Sequence, residues 1–204
     1  WIVKLDEFGN IIWEKTFGGS ASDVGYTSIQ NTFGDFVVVA TTYSNDGDIS
    51  INNGVQDAWL ICINSDGDLL WERTYGGSFS DAFASIISSG DQGYLLSGVT
   101  HSNDGDVSGN NGTSDAWIVE IDALGNILNQ LCVGGSEADN ASGIGSLIQT
   151  EDDQFAILGS SKSDDGGVSF NQGGYDYWFF KLNNHNIRGR VYNDLSEDCI
   201  QNTN

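Results

Sequence analysis

Hydrophobic and polar residues alternate with a period of two along much of the chain. In the opening segment WIVKLD (residues 1–6), Trp1, Val3 and Leu5 fall on one face, while Lys4 and Asp6 fall on the other. This is the pattern of a half-buried β-strand. A turn over residues 7–10 leads into a second alternating run over 11–17, so the two runs predict a hairpin. No segment has the 3.6-residue period of an amphipathic helix, and an all-β fold is predicted.

The same unit recurs at nearly constant spacing. A tryptophan opens one strand of each unit, and the copies, separated by 58, 58 and 61 residues, are Trp1, Trp59, Trp117 and Trp178. Gly-Gly-Ser triplets keep the 58-residue spacing, with first glycines at Gly18, Gly76 and Gly134. Each unit reads as four short antiparallel strands with Gly- and Asp-rich turns, which favours a β-propeller blade over a sandwich. A parallel β-helix is the alternative, although its sequence period is usually shorter.

The repeat resembles known secreted repeats. The phrase WIVKLDEFGNIIWEKTFGG (residues 1–19) resembles the strand–turn–strand signature of quinoprotein-type (PQQ-like) propellers. The whole unit, up to about residue 182, is similar to tandem repeats of large secreted Bacteroidota proteins that commonly end in a type IX secretion sorting domain. This resemblance implies an extracellular or cell-surface location. The stretch 187–199 resembles the opening of B-type Ig-like adhesin repeats, which implies that residues 184–204 are a linker and the start of a following β-sandwich.

The quinoprotein-type strand order implies where the loops lie. Propeller repeats would span residues 1–183, with blade joins near 18–23, 76–81 and 134–139. The loop between the second and third strands and the turn between the fourth strand and the next unit would then emerge on one face, placing most aspartates on one rim. Closure needs at least about four blades, so the chain is expected to be an incomplete ring and part of a longer multidomain chain.

The net charge of the chain limits the classes of partner that it is expected to bind. The chain carries 29 acidic and 7 basic residues, a net charge of -22. Nucleic acids and anionic membranes are bound by basic surfaces, so neither is an expected partner. No stretch approaches the roughly 18 apolar residues of a membrane-spanning helix, so membrane insertion is not expected. A protein or glycan ligand on the loop face is the partner class that these exclusions leave.

The acidic loops are the candidate calcium sites. The predicted ligands are Asp46, Asp48, Ser50 and Asp57 in the first loop, and Asp104, Asp106, Ser108 and Asp115 in the second. Calcium takes roughly six to eight oxygen ligands, and a glycine lets a loop curl around it. The competing interpretation is that Asn-Asp-Gly is a tight turn whose aspartates cap backbone amides. The third loop has Gly167 where the others have an aspartate, so no ion is expected there.

Other recurring residues are predicted to be structural. Aspartates that follow the Gly-Gly-Ser turns or precede the tryptophans are expected to bond to nearby backbone, and they are Asp23, Asp81, Asp139, Asp57, Asp115 and Asp176. The cysteines Cys62 and Cys132 replace strand residues of other repeats, so they are expected to be small buried or half-buried side chains.

Catalytic motifs are missing from the sequence. It has two histidines and contains no nucleophile elbow and no phosphate-binding glycine loop. The favoured function is therefore a non-catalytic extracellular repeat module, acting as a structural spacer, adhesin or assembly subunit with an acidic loop face. The alternative is an accessory or substrate-binding part of a secreted polysaccharide-degrading enzyme.

Overall fold

The computed structural model describes residues 1–90 and 93–183, and every helix or strand within these ranges is a β-strand. The prediction for residues 184–204 lies outside the described residues. The strands are β1 (Ile2–Leu5), β2 (Ile11–Lys15), β3 (Asp23–Gln30), β4 (Phe36–Thr42), β5 (Asp57–Ile63), β6 (Leu69–Tyr75), β7 (Asp81–Ser88), β8 (Tyr94–Thr100), β9 (Asp115–Ile121), β10 (Ile127–Val133), β11 (Asp139–Asn140), β12 (Leu147–Gln149), β13 (Phe155–Ser161) and β14 (Asp176–Leu182). The all-β prediction is confirmed.

The strands form antiparallel sheets that follow the sequence repeat. β1 and β2 make a two-stranded sheet, and the first four-stranded sheet has the order β3-β4-β5-β6. The second four-stranded sheet, β7 to β10, repeats that order one unit later. The predicted unit of four antiparallel strands is therefore confirmed, with the continuous apolar run second and the tryptophan strand third. The sheets of the described residues do not close into a ring, and the propeller stays a prediction.

The third four-stranded sheet differs at its first strand, which is split in two. β11 and β12 both pair with β13, opposite Ser160–Ser161 and Phe155–Ile157 respectively. The first strands of the other two sheets carry a register shift at the same place, between Gly25 and Thr27 and between Phe83 and Ser85. A bulge accepts extra residues without disturbing the rest of a sheet. The insertion at this bulge accounts for the longer spacing before Trp178.

Neighbouring sheets bury each other's faces. One apolar cluster joins the two-stranded sheet to the first four-stranded sheet, a second joins the first four-stranded sheet to the second, and a third joins the second to the third. Successive residues of β5 face opposite ways: Trp59 packs toward the preceding sheet and Leu60 toward the following one. All seven residues of β5 are buried.

No helix able to cross a bilayer is found among residues 1–90 and 93–183.

The repeat tryptophans pack between sheets wherever a sheet covers them. Trp59, Trp117 and Trp178 are buried. Trp117 stacks on Phe83 with ring centroids 4.6 Å apart, and both side chains lie across Gly98 of the central strand. Its indole N–H donates to Gln130 Oε1 at 3.1 Å. Trp1 is 76% exposed because no sheet of the described residues covers it.

This difference in burial gives a matched pair of substitutions. Trp117→Ala is expected to lower the free energy of unfolding by about 3–5 kcal/mol, because it removes a fully buried ring and leaves a cavity. Trp1→Ala alters the same repeat position on the surface and should cost less than about 0.5 kcal/mol. Urea unfolding of both variants measures the difference. Equal losses would contradict the assignment of Trp117 to the interface between sheets.

Candidate functional site

The predicted site lies where two kinds of loop meet at one end of the sheets. The glycine turns are residues 18–20, 76–78 and 134–136, and the acidic loops are residues 44–48, 102–106 and 163–167. Each acidic loop packs on the glycine turn that begins its own unit. In the second unit, for example, Asp106 N donates to Gly76 O at 3.0 Å. The two loop types therefore share one face, as the strand order predicted.

Close packing explains the second glycine of each turn. A β-carbon added to Gly77 would lie 2.3 Å from Asp104 Oδ1 and 2.5 Å from Asp104 O. Gly19 and Gly135 meet the same obstacle at Asp46 and Asp165. The acidic loop can thus reach the turn only because no side chain stands between them.

One aspartate in each unit links the glycine turn to the acidic loop. Asp81 Oδ2 accepts hydrogen bonds from Gly77 N at 2.8 Å and Ser102 Oγ at 2.7 Å, while its Oδ1 accepts one from Thr100 Oγ1. Asp23 and Asp139 accept equivalent bonds in their own units. The prediction that these carboxylates bind the amides of the Gly-Gly-Ser turn is confirmed. Their role in the structure is to join three segments at the start of each unit.

The aspartates of the Asp-Gly-Asp phrase face backbone N–H groups. Asp46 Oδ1 accepts from Ser20 N at 2.7 Å, and Asp48 Oδ2 accepts from Gly18 N at 3.0 Å. Asp104 and Asp106 repeat these contacts with Ser78 N and Gly76 N at 2.7 and 3.2 Å. Amide donors aimed at a carboxylate are the geometry of the capping interpretation.

The remaining predicted ligands lie elsewhere. Ser50 is exposed, and Ser108 accepts a hydrogen bond from Gln130 at the end of the loop. Asp57 and Asp115 are fully buried, and each accepts one bond through Oδ2, from Asn53 N and Asn111 N. This confirms that they fasten the loop end to the tryptophan strand.

The three predicted aspartate ligands of the first loop are therefore divided between two glycine turns. Asp46 and Asp48 contact the turn of their own unit, whereas Asp57 reaches the next turn, at Gly76. Within residues 1–90 and 93–183, no three His, Cys, Asp or Glu side chains are grouped closely enough to hold a metal ion. Calcium ligation by the predicted residues stays a prediction.

A feature that the sequence did not indicate is a buried carboxylate oxygen with no donor. Asp57 Oδ1 and Asp115 Oδ1 are both buried and have no hydrogen-bond partner. A β-carbon on Gly76 would lie 2.7 Å from Asp57 Oδ1 and 2.7 Å from Asp81 Oδ2, so two carboxylates converge on that turn. The recurrence of an aspartate before each tryptophan was the available signal, but it revealed only the contact made by Oδ2.

The surroundings of this oxygen raise the pKa values of both carboxyls. Burial is the largest cause, and the neighbouring negative charge of Asp81 adds to it, raising the pKa of Asp57 to about 6. Burial and the charge of Asp139 raise the pKa of Asp115 to about 6 as well. Carbonyl oxygens also lie near: a β-carbon on Gly54 would be 2.5 Å from Gly77 O and 3.0 Å from Asp57 Oδ1. The site is rich in oxygen and short of donors, so it favours a proton or a cation.

Comparison with known proteins adds no family to this description. No protein-family model matches the chain, and no curated protein matches it at a significant level.

The glycine turn gives a sharp test of the loop packing. Gly77→Ala should lower the free energy of unfolding by about 2 kcal/mol or more, because its β-carbon would overlap Asp104. Gly25→Ala is the control, since a β-carbon there has no neighbour within 4 Å, and it should be neutral or stabilising by up to about 1 kcal/mol. Urea unfolding compares the two. A neutral Gly77→Ala variant would show that the loop does not rest on the turn.

The buried carboxyls predict how stability depends on pH. Their pKa is higher in the folded chain, near 6, than the ordinary value of 3.8, so the folded state binds protons more tightly. Stability is therefore greatest below about pH 4 as far as these groups are concerned, and it falls as pH rises toward and through 6. Each carboxyl should account for about 1–3 kcal/mol of this loss.

Asp57→Asn removes the titrating group but keeps an oxygen for Asn53 N. In chelator, its free energy of unfolding should fall less between pH 5 and pH 7.5 than that of the unaltered chain. Asp66→Asn, at an exposed turn, is the control for the general effect of net charge. Parallel pH profiles for all three proteins would contradict the titration of Asp57.

Proposed function

We propose that this chain is a non-catalytic repeat module of an extracellular or cell-surface protein, built of successive β-propeller blades. It would serve as a structural spacer, adhesin or assembly subunit. The single observation that carries this proposal is that the same contacts recur, unit after unit, at the glycine turns of residues 18–20, 76–78 and 134–136. Each of these turns, with the aspartates that contact it, forms a joint between two units. A residue set used for catalysis is needed once, whereas a set used for assembly is needed at every joint.

Connections between units support the propeller. Each fourth strand runs through a short glycine turn into the first strand of the next sheet, and the sheets pack face to face. Parallel bridges join Gln56 to Ser80 and Ser114 to Ala138, so the residue before each of these tryptophan strands is tied to the start of the next unit. Radial repetition of four-stranded sheets is the arrangement of propeller blades.

The burial and the hydrogen bonds of the carboxylates support a non-catalytic role. Glycoside hydrolysis needs two carboxyl groups on either side of a bound sugar. The carboxyls with pKa values raised to about 6, Asp57 and Asp115, have no solvent exposure and so cannot meet a polysaccharide. The aspartates of the Asp-Gly-Asp phrase accept hydrogen bonds from the glycine turn. A screen of the chain against polysaccharides tests the alternative, a part of a degrading enzyme, and turnover on any of them would overturn the proposal.

Calcium is proposed as a stabilising ligand of the acidic face. The support is the oxygen-rich joint around Gly76, where Asp57 Oδ1 lacks a donor and Asp81 and backbone carbonyls lie near. Calcium prefers carboxylate and carbonyl oxygens. The first unit and the second offer Asp57 and Asp115 for this role, while Asp46, Asp48, Ser50, Asp104, Asp106 and Ser108 remain the candidates for an ion within a loop.

Thermal unfolding at pH 7.5 tests calcium and locates it. Calcium at about 100 times its Kd should stabilise the chain by about 2.7 kcal/mol relative to chelator. Asp57→Asn should reduce this gain if the ion lies at the joint, and Asp46→Asn should reduce it if the ion lies within the loop. Asp66→Asn should leave it unchanged. The same melting temperature with calcium and with chelator would refute calcium binding, whatever the behaviour of the variants.

A further inference from the structure

A cleft of about 470 Å³ opens at the end of the sheets opposite the acidic loops. It lies between the first and second four-stranded sheets, where β3 turns into β4 and β9 turns into β10. Cys62, Gly93 and Tyr94 are its buried residues, and Trp71, Phe33 and Leu124 are among its walls. Its size falls within the range of about 300–1,000 Å³ that is usual for small-molecule sites.

The cleft exists because one repeat position changes from lysine to cysteine. At the preceding junction, Lys4 Nζ donates to Ser65 O at 2.8 Å, and Trp13 Nε1 donates to the same oxygen at 3.1 Å. One repeat later, the corresponding residues are Cys62, Trp71 and Ala123. The short thiol side chain of cysteine cannot reach as far as a lysine ammonium group, so the space that the lysine would cross stays open.

This change also leaves polar groups available inside the cleft. Among the hydrogen bonds of residues 1–90 and 93–183, none includes Trp71 Nε1 or Ala123 O, although their counterparts Trp13 Nε1 and Ser65 O are joined. The Asp35 side chain lines the same cleft, and from the described part of the chain it accepts one long hydrogen bond, 3.4 Å, from Asn31 Nδ2. The residues that line the cleft therefore include an indole N–H and a carbonyl without a hydrogen bond and a weakly bonded carboxylate. Apolar side chains and the polar side chains of Gln30, Asn31, Thr32 and Ser88 complete the lining.

The charge of the cleft lining limits the class of ligand that the cleft can bind. Among the lining residues that lie within 1–90 and 93–183, Asp35 is charged and none is lysine, arginine or histidine, so sulfated, phosphorylated or uronic-acid ligands would meet a negative site. Phe33, 69% exposed, and Trp71 offer ring surface to a ligand with an apolar face. A hydroxyl group both donates and accepts, and so matches the free indole N–H and the free carbonyl.

We propose that this cleft binds a neutral saccharide. An apolar face of the sugar ring would lie against Trp71 and Phe33, and its hydroxyls would bond to Trp71 Nε1, Ala123 O and the Asp35 carboxylate. The site needs no calcium and lies on the face opposite the acidic loops, so it stands apart from the proposed calcium joint. It gives the module a glycan-binding surface at one junction between units, where the repeat sequence is broken.

Calorimetric titration of the full chain in chelator tests this site. The probes are neutral cello-, xylo-, manno- and malto-oligosaccharides, with a sulfated and a uronic-acid oligosaccharide for contrast. We expect at least one neutral series to bind, and to bind at least tenfold more tightly than the two anionic probes. Binding in chelator also separates this site from the calcium proposal, since either can fail alone.

Cys62→Lys is the decisive variant, because it copies Lys4 of the preceding junction and fills the cleft with a residue that the repeat already accommodates. It should weaken saccharide binding at least tenfold while the melting temperature changes by only a few degrees. Asp35→Asn should also weaken binding and does not depend on the fate of Cys62→Lys, and Asp66→Asn should leave it unchanged. No binding by any neutral series, undiminished binding by both Cys62→Lys and Asp35→Asn, or binding only of apolar peptides would overturn the proposal.

Discussion

The glycine turn between consecutive sheets is the joint on which the rest of the structure depends. It is contacted from both sides: Asp57 reaches the turn at Gly76 from the preceding unit, while Asp81 and Asp104 contact it from its own unit. The absence of side chains at Gly76 and Gly77 lets these groups approach the backbone. Because a sheet of this kind is covered only by its neighbours, the position of one sheet relative to the next decides whether Trp59 or Trp117 is buried. Local hydrogen bonds at the joint thus secure the larger apolar interfaces.

The same joint explains how the protein accommodates so much negative charge. The net charge is -22, yet the aspartates of the Asp-Gly-Asp phrase accept N–H bonds from the glycine turns, which offset the loss of water around them. Asp57 and Asp115 are the exceptions, since each keeps one buried oxygen without a donor. The unfavourable electrostatic energy of the buried carboxylates is therefore concentrated at two equivalent atoms, Asp57 Oδ1 and Asp115 Oδ1. A change of pH would act on the joint through these oxygens.

The sequence predicted what is periodic and missed what depends on contacts between units. Alternation of apolar residues indicated the four strands, and the 58-residue spacing indicated the repeated unit, because both are properties of the local chain. The order of the strands within a sheet was an implication of the resemblance to quinoprotein-type propellers. The capping role of Asp81 followed from its position after a turn. The free Oδ1 of Asp57 could not be predicted, since it depends on what the turn at Gly76, nineteen residues later, presents to it. The split first strand of the third sheet left a signal, the longer spacing before Trp178, but spacing alone does not locate an insertion.

Departures from the repeat carry a different kind of information from the repeat itself. A feature present at every joint, such as the aspartate after each glycine turn, is explained by the need to join sheets. A feature present once has no such explanation. Cys62 is one of these: it stands where two other repeats have a lysine, and it opens a cleft where the preceding junction is bridged by Lys4. In a protein built from near-copies, a unique ligand site is therefore best sought where one copy has lost a contact that its neighbours retain.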